Sequence, residues 1–227
     1  SSFANVVSKA ALSLGIEAPL LEKKSSILTD VFQSSPKGSE PLLPFCETLQ
    51  DILLGTWAKP STGQPVARPI VRRHRPAPED PRYLTEQPTP ESLVVQTSAS
   101  RNITVFPNHP PDRESKKLES FGKRIFSSSS SALRSVNTSC YLGRYSHKLW
   151  DTVASVLPNV PEDTRKILEQ AVKDGRDASK FTIRCGLDTT DCVGRAMASS
   201  VALRRHAWLR TTGFSGDVQN NLADMPF

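Results

Sequence analysis

The stretch that decides the fold is residues 161–212, PEDTRKILEQAVKDGRDASKFTIRCGLDTTDCVGRAMASSVALRRHAWLRTT. Pro161 suits the first position of a helix, and the acidic pair Glu162 and Asp163 suits its positive end. Four basic side chains suit the negative end of the same helix: Arg204, Arg205, His206 and Arg210. The pattern predicts one helix of 52 residues, roughly 78 Å long at a rise of about 1.5 Å per residue. A helix of that length needs a partner helix along most of its length.

A second long helical stretch precedes this one. Apolar residues recur at three- and four-residue steps from Leu118 to Val156, and Pro158 ends the pattern. The connection 157–160 is short, which predicts that the two helices fold back antiparallel as a hairpin. A last short helix is expected after Ser215. The predicted fold class is therefore all-α, an elongated antiparallel helical hairpin or coiled coil.

Small residues lie near one face of the second helix at three-, four- and seven-residue steps: Ala171, Gly175, Ala178, Cys185, Cys192, Ala196 and Ser199. Small side chains on a shared face let two helices approach closely. The alternative is that they only weaken the helix, since an interior glycine costs about 1 kcal/mol relative to alanine. Residues 186–190, GLDTT, have poor helix propensity and mark the expected place for a kink or break. Cys185 and Cys192 are two helical turns apart, which is too far for a direct disulfide. We therefore interpret them as small buried core residues.

A two-helix hairpin buries only one stripe on each helix, so two chains side by side would close a four-helix core. We therefore expect a homodimer or a higher oligomer. Its interface would combine the small residues just given with apolar residues of the first helix: Leu118, Phe121, Ile125, Leu142 and Leu149.

Composition changes along the chain and predicts three regions. Residues 1–57 read as short docking helices, which are marginal alone because isolated helices under about 12–15 residues are unstable in water. Residues 58–112 are rich in proline and predict an extended basic linker; a short helix or a strand is expected within it at residues 93–95. Residues 113–227 form the long helical hairpin and the dimerisation domain.

Positive charge is concentrated in two places. The whole chain carries a formal net charge of +6, and residues 113–150, with eight cations and two anions, carry the same net charge. Such a surface predicts contact with RNA or DNA through phosphates, without sequence preference; a solvated helix face is an equally good interpretation. The nucleic-acid candidates are Lys116, Lys117, Lys123, Arg124, Arg134 and Arg144 on the helix and Arg68, Arg72 and Arg73 in the proline-rich region.

Motifs for catalysis, metal binding or phosphate-loop chemistry do not occur in the sequence. We therefore expect a non-enzymatic protein with no cofactor, no metal and no small-molecule substrate. The four cysteines have no Cys-x-x-Cys spacing, and the sequence has neither a signal-peptide pattern nor 18 consecutive apolar residues. These features predict an intracellular protein, nuclear or cytoplasmic, that is not secreted and does not insert into membranes.

Several segments together carry a family resemblance: residues 52–60 (ILLGTWAKP), 92–96 (SLVVQ), 116–126 (KKLESFGKRIF), 141–145 (YLGRY), 197–210 (MASSVALRRHAWLR) and 224–227 (DMPF). In this order they resemble the Gag-like protein of vertebrate DIRS-type retrotransposons. They are also similar to the C-terminal domain of the alpha isoform of lamina-associated polypeptide two. The block 204–210 is the most specific part.

This resemblance implies an elongated helical domain that dimerises through antiparallel coiled-coil packing. For the retrotransposon proteins it implies self-assembly and RNA packaging, and for the nuclear family it implies binding to A-type lamins and other nuclear proteins. The proline-rich region and its cluster of arginines are closer to the retrotransposon form.

Overall fold

The computed structural model describes residues 2–17, 20–21, 40–61, 64–89, 109–110, 112–210 and 212–225. Its helices are α1 (Phe3–Ser13), α2 (Glu47–Trp57), α3 (Arg68–Arg73), α4 (Arg113–Val156), α5 (Glu162–Leu209) and α6 (Gly216–Ala223). Two 3-10 turns occupy Arg82–Leu84 and Leu157–Asn159. Two-residue strands β1 (Leu20–Leu21) and β2 (Glu40–Pro41) pair antiparallel, with Leu20 opposite Pro41.

The long helices α4 and α5 pack against each other as a hairpin, so the predicted all-α fold class is confirmed. Their connection is the 3-10 turn Leu157–Asn159. Arg165 fastens this turn, because its guanidinium donates hydrogen bonds to the carbonyl oxygens of Leu157 at 3.1 Å, Pro158 at 3.2 Å and Val160 at 2.9 Å. The carbonyls that a helix end leaves unpaired thus find donors one turn into the next helix.

A seven-residue repeat of mostly small residues marks the inward face of each long helix. On α4 it consists of Ser115, Gly122, Ser129, Val136, Gly143 and Trp150, and on α5 of Ser179, Gly186, Val193, Ser200 and Ala207. All of these residues are buried or half-buried. Seven residues is the repeat with which paired helices keep one seam facing each other, and small side chains bring the two backbones close.

The small-residue face predicted on α5 is not the face that packs against α4. The packed face lies one residue further along the sequence. Six of its seven residues are exposed, and only Gly175 is half-buried. Cys185 and Cys192 are exposed as well, which contradicts their interpretation as core residues. The error has a simple cause: Ala178, Cys185, Cys192 and Ser199 each precede a buried or half-buried seam residue, so two adjacent rows of mostly small residues share one period.

Of the kink or break predicted at residues 186–190, the break is wrong, since α5 runs through this stretch without interruption. Thr189 and Thr190 donate their hydroxyl hydrogens to the carbonyl oxygens of Cys185 at 2.7 Å and Gly186 at 2.8 Å. Gly186 is where α5 approaches α4 closely, because a Cβ there would clash with the Cys140 sulfur. At Gly186, low helix propensity therefore accompanies close packing and not a break.

The chain divides into two compact units. The first unit comprises Ser1–Gly63 and Gly143–Thr182, and the second comprises Gln64–Leu142 and Ile183–Phe227. In the first unit α1 docks on α5: Phe3 packs edge-on against Phe181 with ring centroids 5.2 Å apart. The buried residues of α1 are Val7 and Ala11.

Helix α2, also in the first unit, has no buried residue. Its apolar side chains Leu49, Ile52 and Trp57, and Phe45 just before it, are each more than half exposed. The helix predicted here is therefore present, but its apolar side chains are largely exposed among the described residues.

The second unit has two apolar clusters. One combines Phe126 of α4 with Met197 and Val201 of α5, with Leu133 packed against it. The other places Leu222 of α6 against Trp208 and Leu209 of α5; the predicted C-terminal helix is thereby confirmed.

The proline-rich segment 64–89 belongs to the second unit, and its predicted extended conformation is wrong at α3 and at Arg82–Leu84. Pro69 occupies the first turn of α3, where its missing N–H has no carbonyl to reach. The segment lies on α4: Ser130 Oγ donates to the Leu84 carbonyl oxygen at 2.7 Å, and Gln87 Nε2 donates to the Lys123 carbonyl oxygen at 2.8 Å. The helix or strand predicted at residues 93–95 lies outside the described residues.

Candidate nucleic-acid interface

Three arginines of the second unit meet at a cavity of about 540 Å³ between the proline-rich segment and α4. Its lining consists of Val71, Arg72, Arg75, Pro76, Thr85, Ser127, Ser131 and Arg134. Three arginines and three residues with hydroxyl groups therefore line one surface, and that lining includes no carboxylate residue. We call this surface the arginine cavity; its chemistry is that of an anion site.

Arg134 is held in place by its own helix. Its Nη2 donates to the Ser131 hydroxyl at 3.0 Å, and its Nε donates to the Ser130 carbonyl oxygen at 3.4 Å. The Ser131 hydroxyl in turn donates to the Ser127 carbonyl oxygen at 2.9 Å. A fixed guanidinium loses little side-chain freedom when it meets a ligand.

Arg72 and Arg75 are exposed and make no ion pair or side-chain hydrogen bond within the part of the chain that the structure describes. Many other cations of the chain, unlike Arg72 and Arg75, pair with carboxylates. The pairs are Lys9 with Asp174, Lys123 with Glu119, Arg176 with Asp151, Arg184 with Asp188, Arg195 with Asp191, Arg204 with Glu119 and Arg210 with Glu114. The positive charge at the arginine cavity is thus not neutralised by those acids.

A second cavity, of about 570 Å³, adjoins the first and shares Arg75, Pro76 and Arg134 with it. The rest of its lining is mixed. Leu84, Leu133, Val136 and Leu187 are apolar, Tyr83 and Tyr141 are aromatic, and polar side chains come from His74, Asp80, Asn137, Thr138 and Thr190. We call it the tyrosine cavity. Both cavities lie wholly within the second unit.

A hydrogen-bonded pair, His74 and Thr138, orders one wall of the tyrosine cavity. The Thr138 hydroxyl donates to the Arg134 carbonyl oxygen at 3.1 Å, and it lies 3.0 Å from His74 Nδ1. The His74 and Thr138 side chains are thereby hydrogen-bonded to each other. The proline-rich segment is therefore fixed against α4 beside both cavities.

The other predicted cations are distributed more widely. Lys116, Lys117, Arg68 and Arg73 are exposed, and Arg144 is exposed in the first unit. Arg124 stacks over the Phe121 ring at 4.7 Å, and Lys117 lies 6.0 Å from the same ring. Lys123 Nζ lies 3.2 Å from Glu119 Oε1, which neutralises part of its charge.

Of the nine predicted basic residues, the structure brings Arg72 and Arg134 together at one cavity. Sequence reasoning missed Arg75 as a site residue, together with Thr85, Ser127 and Ser131. A signal for Arg75 was present, since it stands in the same run of cations as Arg72. Nothing in the sequence indicated that this run would fold onto the serines of α4, because the segment read as extended.

The residues predicted for self-association differ in how exposed they are to solvent. Ile125, Leu142 and Leu149 of α4 are exposed, whereas Leu118 and Phe121 are half-buried. On α5 the exposed small residues form the row described above. These surfaces are open to a second chain, and the homodimer stays a prediction.

No three His, Cys, Asp or Glu side chains come close enough to hold a metal ion among the residues that the structure describes. Within the same residues, no helix combines the length and the apolar character needed to cross a membrane. Comparison with known protein families, with curated protein sequences and with solved structures found no match to this chain.

Proposed function

We propose that this chain is a non-enzymatic, self-associating helical protein that contacts RNA or DNA through phosphates. The observation that carries the proposal is the convergence of Arg72, Arg75 and Arg134 on a cavity whose lining has no carboxylate. Phosphate oxygens pair well with guanidinium groups. A Gag-like assembly role, as the family resemblance implies, is consistent with such a surface.

Binding through phosphates has a measurable signature. Each neutralised phosphate releases condensed counterions, so the logarithm of the association constant falls linearly with the logarithm of salt concentration. A titration of the protein into labelled RNA at several salt concentrations tests this directly. Affinity that is independent of ionic strength would contradict the proposal.

Self-association is proposed through the exposed faces of α4 and α5. Ala178, Cys185, Cys192 and Ala196 form an exposed row of small residues on α5, and Leu142 and Leu149 of α4 are exposed apolar side chains. A second hairpin packed on these faces would bury surface that a single chain leaves in water. Light scattering at several protein concentrations tests this part, and a strict monomer would refute it.

A second candidate function is a nuclear scaffold domain that binds A-type lamins and other nuclear proteins. The exposed apolar side chains at α2 favour it. Leu49, Ile52 and Trp57 of the helix, with Phe45 just before it, fit a protein partner better than a phosphate chain. Lamin binding that persists at high salt, in a protein that fails to bind RNA, would favour this alternative.

A further inference from the structure

We propose that the two adjoining cavities form one site for an unpaired nucleotide of a single-stranded nucleic acid. In this arrangement the base enters the tyrosine cavity and its phosphate lies in the arginine cavity. The inference rests on the proposed nucleic-acid function and deepens it, because it adds a preference for single strands over duplexes.

The first support is the chemical division between the two cavities. The tyrosine cavity has four aliphatic side chains and two tyrosines in its wall, and aromatic and apolar walls suit the flat face of a base. The arginine cavity has three arginines in its lining, and their guanidinium groups suit a phosphate. A nucleotide has the same division, with an apolar face at one end and an anion at the other.

The second support is that the cavities share a wall. Arg75 and Arg134 line both, so one ligand that spans the boundary would meet the same two guanidiniums from either side. A base and its phosphate are joined through a single sugar, and the two subsites must therefore be neighbours. The tyrosine cavity, at about 570 Å³, falls in the range of roughly 300–1,000 Å³ typical of small-ligand sites.

The third support is the placement of negative charge. Asp80 lines the tyrosine cavity, where its Oδ2 accepts a hydrogen bond from the Ala77 amide at 2.8 Å. A carboxylate at this end disfavours phosphate there and leaves the base as the better occupant. The orientation of the nucleotide is thereby fixed, with the phosphate on the side of Arg72.

Both tyrosines of the tyrosine cavity are accessible to a ligand from solvent. Tyr83 is 47% exposed and Tyr141 is 60% exposed, so both rings stand at the rim, where an incoming base can stack on them. A base inside a duplex is stacked and paired and cannot enter without being unpaired. Duplexes should consequently use only the arginine cavity.

The test compares two labelled RNAs of one sequence, a single strand and its duplex, by fluorescence anisotropy at fixed salt. Tyr83→Ala and Tyr141→Ala should each weaken single-strand binding by about tenfold, with duplex binding changed by less than about twofold. Tyr83→Phe and Tyr141→Phe should keep wild-type affinity, because the ring remains. Melting curves by circular dichroism establish that each variant is folded.

Tyr145→Ala is the matched control. Tyr145 lies one helical turn beyond Tyr141 on α4, is 61% exposed and does not line the tyrosine cavity; its removal should leave both affinities unchanged. Arg72→Gln and Arg75→Gln should weaken single-strand and duplex binding alike, whereas Arg68→Gln, outside both cavities, should have the smaller effect.

The outcomes separate the two levels of the proposal. Tyrosine variants that lose no single-strand affinity, or that lose single-strand and duplex affinity equally, would overturn the nucleotide site. In that case salt-dependent binding by the wild-type protein would leave the proposed function intact. Failure of the wild-type protein to bind either RNA would overturn the proposed function itself.

Discussion

Glu119 of α4 and Arg204 of α5 form an ion pair in which both side chains are almost fully withdrawn from solvent, at 4% and 6% exposure. Arg204 Nη2 and Nε reach Glu119 Oε1 at 3.1 and 3.3 Å, and Nη1 donates to the Pro88 carbonyl oxygen at 2.7 Å. One guanidinium therefore joins α5, α4 and the proline-rich segment that carries part of the candidate site.

Removal of one partner of this pair should be costly. Arg204→Ala leaves the Glu119 carboxylate buried, with Lys123 as its remaining cation, and we expect a loss of about 3 kcal/mol in the free energy of unfolding. The double variant Glu119→Leu with Arg204→Leu should lose much less, because no buried charge remains. Urea unfolding measures both; equal losses in the single and double variants would contradict this assignment.

Close approach of the long helices predicts opposite effects for two glycines of α5. A Cβ at position 175 would clash with the Trp150 ring, whereas one at position 194 would meet no atom within 4 Å. Gly175→Ala should therefore destabilise the protein by about 1–3 kcal/mol. Gly194→Ala is the matched control and should stabilise it by up to about 1 kcal/mol. Thermal unfolding of the two variants checks the difference in sign, and a stabilising Gly175→Ala would show that the helices are farther apart.

The sequence could predict the long helices but not which of their faces pack together. Helix periodicity and Pro158 were sufficient for α4, α5 and the turn between them, since those signals are local. The same signals could not predict which face of α5 points inward, because Ala178 and Ser179 begin two adjacent rows of mostly small residues with the same seven-residue period. Only packing against α4 decides which row is buried.

The candidate site was less predictable than the fold. Arg72 and Arg134 were identified from charge alone, but their convergence depends on long-range contacts such as that between Ser130 and Leu84. Proline spacing indicates that a segment resists long helices and central strands. It does not indicate whether the segment lies on another helix.

Acid should destabilise the fold through carboxylates whose pKa is lowered. Ser115, by hydrogen bonds from its hydroxyl and amide, lowers the pKa of Asp112, and the Arg176 guanidinium lowers the pKa of Asp151. A carboxyl whose pKa is lower in the folded state stabilises that state above its unfolded pKa, near 3.9, and this contribution is lost as the pH falls through the folded pKa.

We therefore expect the urea midpoint to be nearly constant from about pH 7 to 5 and to fall below about pH 4. Asp112→Asn keeps an acceptor for Ser115 but has no charge to titrate, and it should reduce the acid sensitivity. Stability that rises on acidification from pH 5 to 3 would contradict this explanation.

The exposed row of α5 predicts separable effects on association and on folding. Ala178→Glu and Ala196→Glu place charge on a surface that is already solvated in the single chain, so the unfolding free energy per chain should change by less than about 0.5 kcal/mol. In a dimer the same charges would be buried, and the dissociation constant should rise by at least about tenfold. Sedimentation equilibrium measures this change, with the exposed Glu162→Gln near the helical turn as a control. Unchanged association in both variants would place the interface elsewhere.

The central claim, that the arginine cavity binds nucleic-acid phosphates, is tested most directly by the salt dependence of RNA binding. The measurement compares the slope of log association constant against log salt for the wild-type protein and for the triple variant Arg72→Gln, Arg75→Gln, Arg134→Gln. We predict a clearly negative wild-type slope that becomes shallower by about 2–3 in the triple variant, near one for each lost phosphate contact. An identical slope and affinity in the two proteins would contradict the claim.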